Sequence, residues 1–354
     1  MPIASLPTEL DLKIISFLKG DRKALNTLSL VSRYYREHTE PELYHDIVFT
    51  TNDGWRILCL LQTFLDRPDV TRYTKSFTYH KAENDVFPHL DGASLLVTRK
   101  RYIDQVQATL FESSNVLMDQ VKRHTIGYGR DFSVCLFQDI LIRDSGPGGA
   151  LALVLCMVSN VESISLTPES KIHLTEYGIN RSNGFWTYVQ DMFSFSKPGM
   201  DDLSMIHYDT SPHAFTKLKA LCLGADEAGG SCILPPTLEQ LTLRRFNVER
   251  LVQISPVKNS LKVLELEHGT ITQEALSQAI SSDTLSKLHT LRLRHMTRWD
   301  DDLHEDLTFD GHLIQEMEEH IPDLEVFECI RTPIVPLHEN AFGAFKKLKH
   351  LRLE

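Results

Sequence analysis

The fold is decided by one short pattern that recurs in the second half of the chain. Residues 261–267 read Leu-Lys-Val-Leu-Glu-Leu-Glu, and residues 288–294 read Leu-His-Thr-Leu-Arg-Leu-Arg. In each stretch a leucine is followed, three residues later, by two more leucines separated by one residue. Apolar residues that alternate in this way face one side of a β-strand. The pattern therefore predicts a short strand whose alternate side chains are buried.

The same spacing predicts further strands on both sides of these two. Its other copies begin at Val161, Leu218, Leu238, Leu324 and Leu348, and residues 76–79 could form a first one. From Leu218 onward the copies begin 20, 23, 27, 36 and 24 residues apart. Recurrence at this period is the mark of a leucine-rich solenoid, in which units stack because one alone cannot bury its apolar side. The predicted fold class is thus α/β, with short parallel strands and helical returns.

Three segments between the predicted strands have helical patterns. Residues 272–280 begin with Thr272 as the cap, and residues 150–158 are apolar nearly all round, which predicts a fully buried helix. Residues 310–320 have an inward face that consists of Leu313, Ile314, Met317 and the following Ile321. These segments would return the chain from one strand to the next.

The repeats depart from the regular leucine-rich consensus. The position after the strand that usually holds Asn or Cys is Phe246, Gly269 and Met296 here, so the pattern predicts an irregular arc. Residues 80–135 carry no repeat, and a long helix with loops is expected around residues 95–122. The chain ends at Glu354, inside a repeat strand, which suggests that the C-terminal repeat is truncated, since solenoids normally end in a polar cap.

Residues 1–48 have a different, helical pattern. Pro7 suits the first turn of a helix, Gly20 would end that helix, and Asp21 would cap the next. The spacing of three and four residues puts one apolar stripe on the first helix, at Leu6, Leu10, Ile14 and Phe17/Leu18. Residues 49–70 are predicted to form a linker helix whose apolar positions are Trp55, Leu58, Leu61 and Leu65.

The bulk composition excludes several classes of protein. The formal net charge of −11 argues against a broad surface for nucleic acid or anionic membranes, which needs clustered Lys and Arg. The longest apolar stretch is about half of what a bilayer requires, and the N-terminus lacks a signal peptide's basic and apolar regions. The scattered cysteines form no Cys-x-x-Cys pair, which indicates free thiols in a reducing compartment, the cytoplasm or nucleus. They are Cys59, Cys135, Cys156, Cys222, Cys232 and Cys329.

The N-terminal sequence carries a family resemblance. Residues 5–18 read Ser-Leu-Pro-Thr-Glu-Leu-Asp-Leu-Lys-Ile-Ile-Ser-Phe-Leu, residues 28–36 read Leu-Ser-Leu-Val-Ser-Arg-Tyr-Tyr-Arg, and residues 41–49 read Pro-Glu-Leu-Tyr-His-Asp-Ile-Val-Phe. This combination resembles an F-box, and the remainder resembles the loose leucine-rich region of fungal F-box proteins. The expected domains are an F-box at 1–48, the linker helix at 49–70 and an irregular leucine-rich repeat domain at 71–354.

The resemblance implies a role in ubiquitin transfer. F-box modules bind the small Skp-type adaptor, which connects to a cullin-RING scaffold and so to a ubiquitin-loaded conjugating enzyme. The chain would then be the substrate-recognition subunit of an SCF-type E3 ubiquitin ligase, a non-catalytic subunit whose leucine-rich region holds a client for ubiquitin-dependent degradation. Carried over residue by residue, the adaptor contact would use Leu6, Pro7, Leu10, Ile14, Leu28, Leu30, Val31 and Tyr35.

Two interpretations of these apolar residues remain open. They could be the internal core of a three-helix module. A module this small has too little volume for its surface to bury all of them, which favours an apolar patch that faces a partner. An apolar helical face laid into a hydrophobic groove would then be the mode of docking.

The predicted strands also suggest a surface for the client. The residues between the inward leucines alternate in charge from strand to strand, and they include Arg244, Glu265, Glu267, Arg292, Arg294 and Arg352. They could bind a client, or they could pair with each other across adjacent strands, which is the favoured interpretation. Trp299, beside an acidic run, could anchor a basic client or be tucked into the edge of the core.

No motif indicates chemistry within the chain itself. There is no Walker loop, no Gly-x-Ser-x-Gly and no His-Glu-x-x-His, so no catalytic residue, cofactor or metal is predicted. His312, Glu316 and His320 share a helix face but are interpreted as its solvated side. Two alternatives to the ligase role remain: an F-box scaffold that recruits no client for degradation, and an enzyme whose helical start resembles an F-box by chance.

Overall fold

The three N-terminal helices form a compact unit. A computed structural model describes residues 7–50, 53–80, 114–125, 136–138, 140, 148–167, 215–224, 235–244, 260–269, 273–281, 285–296, 311–330, 342–343 and 345–353. In it α1 spans Thr8–Phe17, α2 spans Arg22–Val31 and α3 spans Arg33–Leu43. Gly20 adopts a positive φ of 98°, which glycine tolerates best, and lets the chain turn from α1 into α2. The first helix ends before Gly20 as predicted, and the Asp21 side chain accepts a hydrogen bond from the Ala24 amide, which confirms the predicted cap of α2.

A single parallel sheet follows these helices. The described residues contribute nine strands, and their order in the sheet is their order in the chain. Each pairs in parallel with the next one. The strands are β1 (Asp46–Thr50), β2 (Ser76–His80), β3 (Ser163–Leu166), β4 (Ala220–Gly224), β5 (Gln240–Arg244), β6 (Val263–Glu267), β7 (Thr290–Arg294), β8 (Val326–Ile330) and β9 (His350–Leu353).

Helices cover one face of this sheet and complete the core. They are α4 (Gly54–Asp66), followed by a 3-10 helix (Pro68–Tyr73), then α5 (Ser114–His124), α6 (Gly148–Met157), α7 (Gln273–Ser281) and α8 (Gly311–His320). The second and fourth residues of each strand from β1 to β8 are buried, and they form one apolar cluster with these helices. The first, third and fifth residues lie on the opposite side, which we call the open face.

The predicted strands and returns appear where the sequence placed them. Every copy of the pattern forms a strand, and the inward face of α8, including Leu313 and Met317, is buried. In α6 every residue from Gly149 to Met157 is buried, as the apolar sequence predicted. The cap predicted at Thr272, the position at Phe246 and the first part of the helix expected within residues 80–135 lie outside the described residues, although α5 falls in that region.

One strand was missed by the sequence pattern. Strand β1 begins at Asp46 and pairs with β2 along its whole length. The helix predicted as a linker, observed as α4, therefore connects two neighbouring strands of one sheet. The first strand follows α3 directly, so the N-terminal helices and the sheet are joined by only a short turn.

The cysteines that the structure describes are free thiols, as the sequence pattern predicted. Cys59, Cys156, Cys222 and Cys329 are free, and Cys156 and Cys329 are buried. Burial raises the pKa of the Cys156 thiol, because the apolar helix α6 disfavours the thiolate. The remaining two cysteines lie outside the described residues.

Candidate functional site

Several large apolar side chains are exposed on the N-terminal helices. On α1, Leu10 is 48% exposed, Ile14 is 45% exposed and Phe17 is 77% exposed. At the end of α2, Leu30 is 71% exposed and Val31 is 64% exposed. Together with Tyr34, which is also exposed, these residues form what we call the apolar patch. Exposed apolar patches on a protein surface commonly mark interaction sites.

The patch arises because the interior of the module is already filled. Ile15 on α1 is 3% exposed and Leu25 on α2 is 1% exposed, so these two residues supply the inner faces of their helices. Leu10, Ile14 and Phe17 are spaced by four and three residues, so they share the other side of α1. A unit of three short helices has no volume left for them.

A buried carboxylate holds α1 against α3. Asp11 is 3% exposed, and it accepts hydrogen bonds from the hydroxyls of Tyr34 at 3.2 Å and Tyr35 at 3.4 Å. Burial and the negative charge of Asp11 raise the pKa of Tyr35. The apolar spacing on the first helix did not predict that an acidic residue would be buried among the three N-terminal helices. The two tyrosine hydroxyls thus fix the rotation of α1 that turns Ile14 outward.

The turn between α2 and α3 places the last residues of α2 at the surface. The Ser32 side chain accepts a hydrogen bond from the Tyr35 amide at 3.2 Å and caps α3. The extended backbone at Ser32, with φ −159°, ends α2 sharply at Val31. Leu30 and Val31 therefore project at the corner between the two helices.

The predicted adaptor residues fall into three groups in the structure. Leu10, Ile14, Leu30 and Val31 lie on the apolar patch, and Pro7 is exposed at the start of α1. Leu28 and Tyr35 are half-buried, and the hydroxyl of Tyr35 is occupied by Asp11. Leu6 lies outside the described residues. Phe17 and Tyr34 are exposed members of the patch that the residue-by-residue assignment did not include, and Leu12 is exposed on another side of α1.

An ion pair connects the N-terminal helices to the sheet. The guanidinium of Arg67, at the end of α4, binds both carboxylate oxygens of Glu40 on α3, with 2.9 Å between Nη2 and Oε2. Asp69 accepts a further bond from Arg67 at 3.2 Å. The hydrogen bonds that Arg67 donates to Glu40 raise the pKa of Arg67 above its ordinary value. Because Glu40 is 7% exposed while the Arg67 side chain is 41% exposed, this pair is a half-buried junction.

The charged residues on the open face pair with each other. Arg244 contacts Glu267 at 2.7 Å, and Arg294 contacts Glu265 at 2.8 Å and Glu328 at 3.0 Å. We call Arg244, Glu265, Glu267, Arg292, Arg294 and Glu328 the charged ladder. Burial alone would raise the pKa of Glu328, but the hydrogen bond from Arg294 and the charge of Arg292 lower it below its usual value.

This pairing bears on the predicted client surface. Five of the predicted client residues belong to the charged ladder, and each contacts an opposite charge on a neighbouring strand, as the favoured interpretation predicted. A client would have to compete with these contacts. Arg352 lies on the exposed strand β9, and Trp299 lies outside the described residues.

Two other kinds of site are absent from the described residues. Within these ranges, no group of three or more His, Cys, Asp or Glu side chains is arranged to hold a metal ion. Of the helices in the same part of the chain, none has the length and apolarity to cross a membrane. His320 lies at the end of α8, and Glu316 on the same helix accepts a hydrogen bond from Ser277 of α7 at 2.5 Å.

Comparison with known proteins identifies the N-terminal helices. The model of the F-box-like family matches residues 3–50, which contain α1, α2, α3 and β1. No curated protein matches the chain. F-box proteins are generally non-catalytic subunits. Residues 3–50 are thus an F-box-like domain, which implies binding of a Skp-type adaptor within an SCF complex and suggests an adaptor-binding subunit of a ubiquitin ligase.

Proposed function

We propose that this chain is the substrate-recognition subunit of an SCF-type E3 ubiquitin ligase. The apolar patch docks on the Skp-type adaptor, and the sheet, as an irregular leucine-rich repeat region of the kind found in fungal F-box proteins, holds a client for ubiquitin-dependent degradation. The observation that carries the proposal is the exposure of Leu10, Ile14, Leu30 and Val31 on a domain of F-box-like sequence. The ligase complex would act in the cytoplasm or nucleus.

Docking would follow the helix-in-groove mode. The apolar side of α1 and the corner at Leu30 and Val31 would enter a hydrophobic groove of the adaptor. Complete burial of one leucine or isoleucine side chain contributes about 1.5–3 kcal/mol. The free energy gained from burial exceeds the cost of association only when several such side chains are buried together. Loss of one central residue should therefore weaken binding strongly.

The chain would contribute proximity to ubiquitin transfer and no chemistry of its own. Holding a client lysine near the thioester of the conjugating enzyme raises its effective concentration. This role requires a fixed distance between the adaptor and the client. The junction between Glu40 and Arg67 supports that requirement, because it ties α3 to the first return of the sheet.

The adaptor interaction can be tested with a pair of matched variants. Leu10→Asp places a charge in the apolar patch, whereas Val48→Asp places one at a 40% exposed position on the open face of β1. Affinity-purified wild type and Val48→Asp should carry the Skp-type adaptor, and Leu10→Asp should lose it while its circular dichroism stays unchanged. Equal recovery of the adaptor with Leu10→Asp would contradict the docking site.

The client-recognition role needs a separate test, because a scaffold would bind the adaptor equally well. Purification with mass spectrometry while the proteasome is blocked should recover a cullin and a ubiquitinated client with wild type. The client should accumulate in cells that carry Leu10→Asp, because the variant still holds it but cannot reach the adaptor. If the adaptor were recovered but no protein accumulated in cells that carry Leu10→Asp, the result would favour the scaffold alternative.

A further inference from the structure

The two kinds of charge in the charged ladder differ in how accessible they are. The side chains of Glu265, Glu267 and Glu328 are only 12%, 15% and 11% exposed. The side chain of Arg244 is 44% exposed, and that of Arg292 is 32% exposed. A molecule that approaches this part of the open face therefore meets positive charge first, although the ladder contains as many glutamates as arginines.

The carboxylate oxygens of the ladder are already occupied. Glu267 contacts Arg244 through Oε2 at 2.7 Å and Arg294 through Oε1 at 3.4 Å. Glu265 contacts Arg294 through Oε1 at 2.8 Å, and its Oε2 accepts a hydrogen bond from the Thr242 hydroxyl at 3.4 Å. A cationic partner would therefore have to displace one of these contacts before it could bind.

The arginines, in contrast, retain unused donors. Arg294 is the centre of the ladder, because it contacts all three glutamates. Arg244 and Arg292 each contact a single carboxylate of the ladder, and they approach it through Nε at 2.7 and 3.2 Å. Within the part of the chain that the structure describes, the terminal nitrogens of these two arginines form no hydrogen bond. A client would meet least competition there, since Nη1 and Nη2 together can bind a carboxylate.

The strand register sets the distance between these two arginines. Arg244 is the fifth residue of β5 and Arg292 is the third residue of β7, so they lie two strands and two residues apart. Strands about 4.8 Å apart and a rise of about 3.3 Å per residue put the two Cα atoms about 12 Å apart. An extended segment covers about 13 Å in four residues, and residues four apart point to the same side. Two acidic residues at that spacing would match the pair.

We propose that Arg244 and Arg292 bind an extended acidic segment of the client, with two carboxylates four residues apart. The inference rests on the proposed function, because it names the class of segment that the sheet would hold. Charge complementarity favours this occupant, since the accessible groups are donors and ionised aspartate and glutamate side chains only accept. A nucleic acid is also rich in acceptors, but the net charge of −11 would repel its dense charge more strongly than two carboxylates.

A labelled peptide tests the requirement for carboxylates. The probe is a short peptide of serine, threonine and alanine that carries two glutamates four residues apart, and its matched control carries glutamine at both positions. Fluorescence anisotropy with the full chain at low salt should show saturable binding of the glutamate probe. The glutamine probe should bind at least about tenfold more weakly, because two partly exposed ion pairs are lost. Equal affinity of the two peptides, or absence of binding by the glutamate probe, would overturn the proposal.

Variants of the chain test whether these two arginines make the contact. In Arg244→Gln and in Arg292→Gln the carboxylate left behind still contacts Arg294, so the sheet should fold. Each variant should bind the glutamate probe about fivefold more weakly and the glutamine probe as the wild type does. Lys262→Gln is the matched control, because it removes an exposed cation that pairs with Glu239 outside the open face. An equal loss in Lys262→Gln would overturn the proposal, since the attraction would then be general.

Further measurements separate this inference from the proposed function. Leu10→Asp should bind the glutamate probe as the wild type does, because the apolar patch lies on the N-terminal helices. In cells with a blocked proteasome, a chain that carries both Arg244→Gln and Arg292→Gln should retain the adaptor and lose the client. A client that this double variant retained would overturn the acidic-segment inference and leave the ligase role standing. Absence of both adaptor and client from the wild type would refute the proposed function, whatever the probe shows.

Other occupants of the ladder give different results in the same assays. A single-stranded oligonucleotide that bound more tightly than the glutamate probe would overturn the proposal in favour of a nucleic acid. Dimerisation of the wild-type chain that Arg244→Gln and Arg292→Gln together abolished would overturn it in favour of a second copy. The proposal expects weaker oligonucleotide binding and no dimer that depends on these arginines.

Discussion

Two adjacent isoleucines on α1 have opposite environments. Ile14 is 45% exposed on the apolar patch, whereas Ile15 is 3% exposed inside the module. Ile14→Ala should leave the free energy of unfolding within about 0.5 kcal/mol of wild type, as expected for surface positions. It should nevertheless weaken adaptor binding, since the removed methyl groups lie on the docking side. Urea denaturation and an adaptor titration measure the two effects separately.

The neighbouring position supplies the matched control. Ile15→Ala should lower the free energy of unfolding by about 2–5 kcal/mol, because it leaves a cavity among the three helices. Adaptor affinity of the folded fraction should change little. If Ile14→Ala destabilised the chain as much as Ile15→Ala, then Ile14 would be a core residue and the patch would not exist.

The sequence predicted the two sides of α1 only in part. Spacing alone put Leu10 and Ile14 on one face, and the structure places both at the surface. Spacing could not predict that Asp11 would be buried, because its partners Tyr34 and Tyr35 come from another helix. The half-buried state of Tyr35 follows from the same contact. Properties that depend on one helix were predictable, and those that depend on helix packing were not.

At the scale of elements, the contact between α3 and α4 should contribute to stability through one buried carboxylate. Arg67→Met keeps most of the side-chain length but leaves Glu40 buried without a partner. The free energy of unfolding should fall by about 2 kcal/mol. This is less than the roughly 3–5 kcal/mol lost when a fully buried pair is broken, because the Arg67 side chain is 41% exposed. Thermal or urea unfolding measures this loss.

Asp69 provides the control for this contact. It also binds Arg67, but its side chain is 52% exposed, so Asp69→Asn should cost less than about 1 kcal/mol. A Glu40→Gln, Arg67→Met double variant should recover part of the stability lost in Arg67→Met, since no unpaired charge then remains. Equal losses for Asp69→Asn and Arg67→Met would show that the junction is an ordinary surface pair.

Strand β1 explains why the boundary of the sheet could not be predicted from the repeat pattern. Ile47 and Phe49 alternate as in the other strands, but no leucine precedes them at the expected spacing, and the segment follows a helix directly. The later strands were predicted because seven copies of one pattern support each other. A single strand with two buried residues carries too little signal alone.

For the whole molecule, acid should weaken the contacts at the strand starts. Hydrogen bonds from Lys75 and Lys219 lower the pKa of Glu162 to about 2, and hydrogen bonds from lysines also lower the pKa of Glu239, Asp323 and Glu325. A carboxyl whose pKa is lower in the folded state stabilises the fold above its ordinary pKa of about 4. That contribution is lost as the pH falls through the folded value.

A difference measurement isolates one of these groups. Wild type should be more stable to urea than Glu162→Gln at pH 7, and the difference should shrink between about pH 5 and pH 2 as Glu162 is protonated. Added salt should reduce the difference at pH 7, because the pair is partly exposed. A difference that stayed constant or grew toward low pH would contradict the assigned direction.

The charged ladder shows what the sequence could settle about the open face. Alternating charges on successive strands predicted cross-strand pairing, and the parallel register brings Glu267 between Arg244 and Arg294. The sequence could not show that Arg294 would reach carboxylates on both neighbouring strands, which depends on side-chain conformation. Pairing within the chain was therefore predictable, whereas the identity of a client was not.

The most direct test of the central claim is calorimetric titration of the purified chain with a purified Skp-type adaptor at several temperatures. The apolar patch predicts saturable one-to-one binding with a negative heat-capacity change, since apolar surface is buried on association. Leu10→Asp should weaken this binding at least about 100-fold, as expected for a charge in the centre of an apolar interface. Absence of binding by the folded wild-type chain, or an unchanged affinity of Leu10→Asp, would contradict the account.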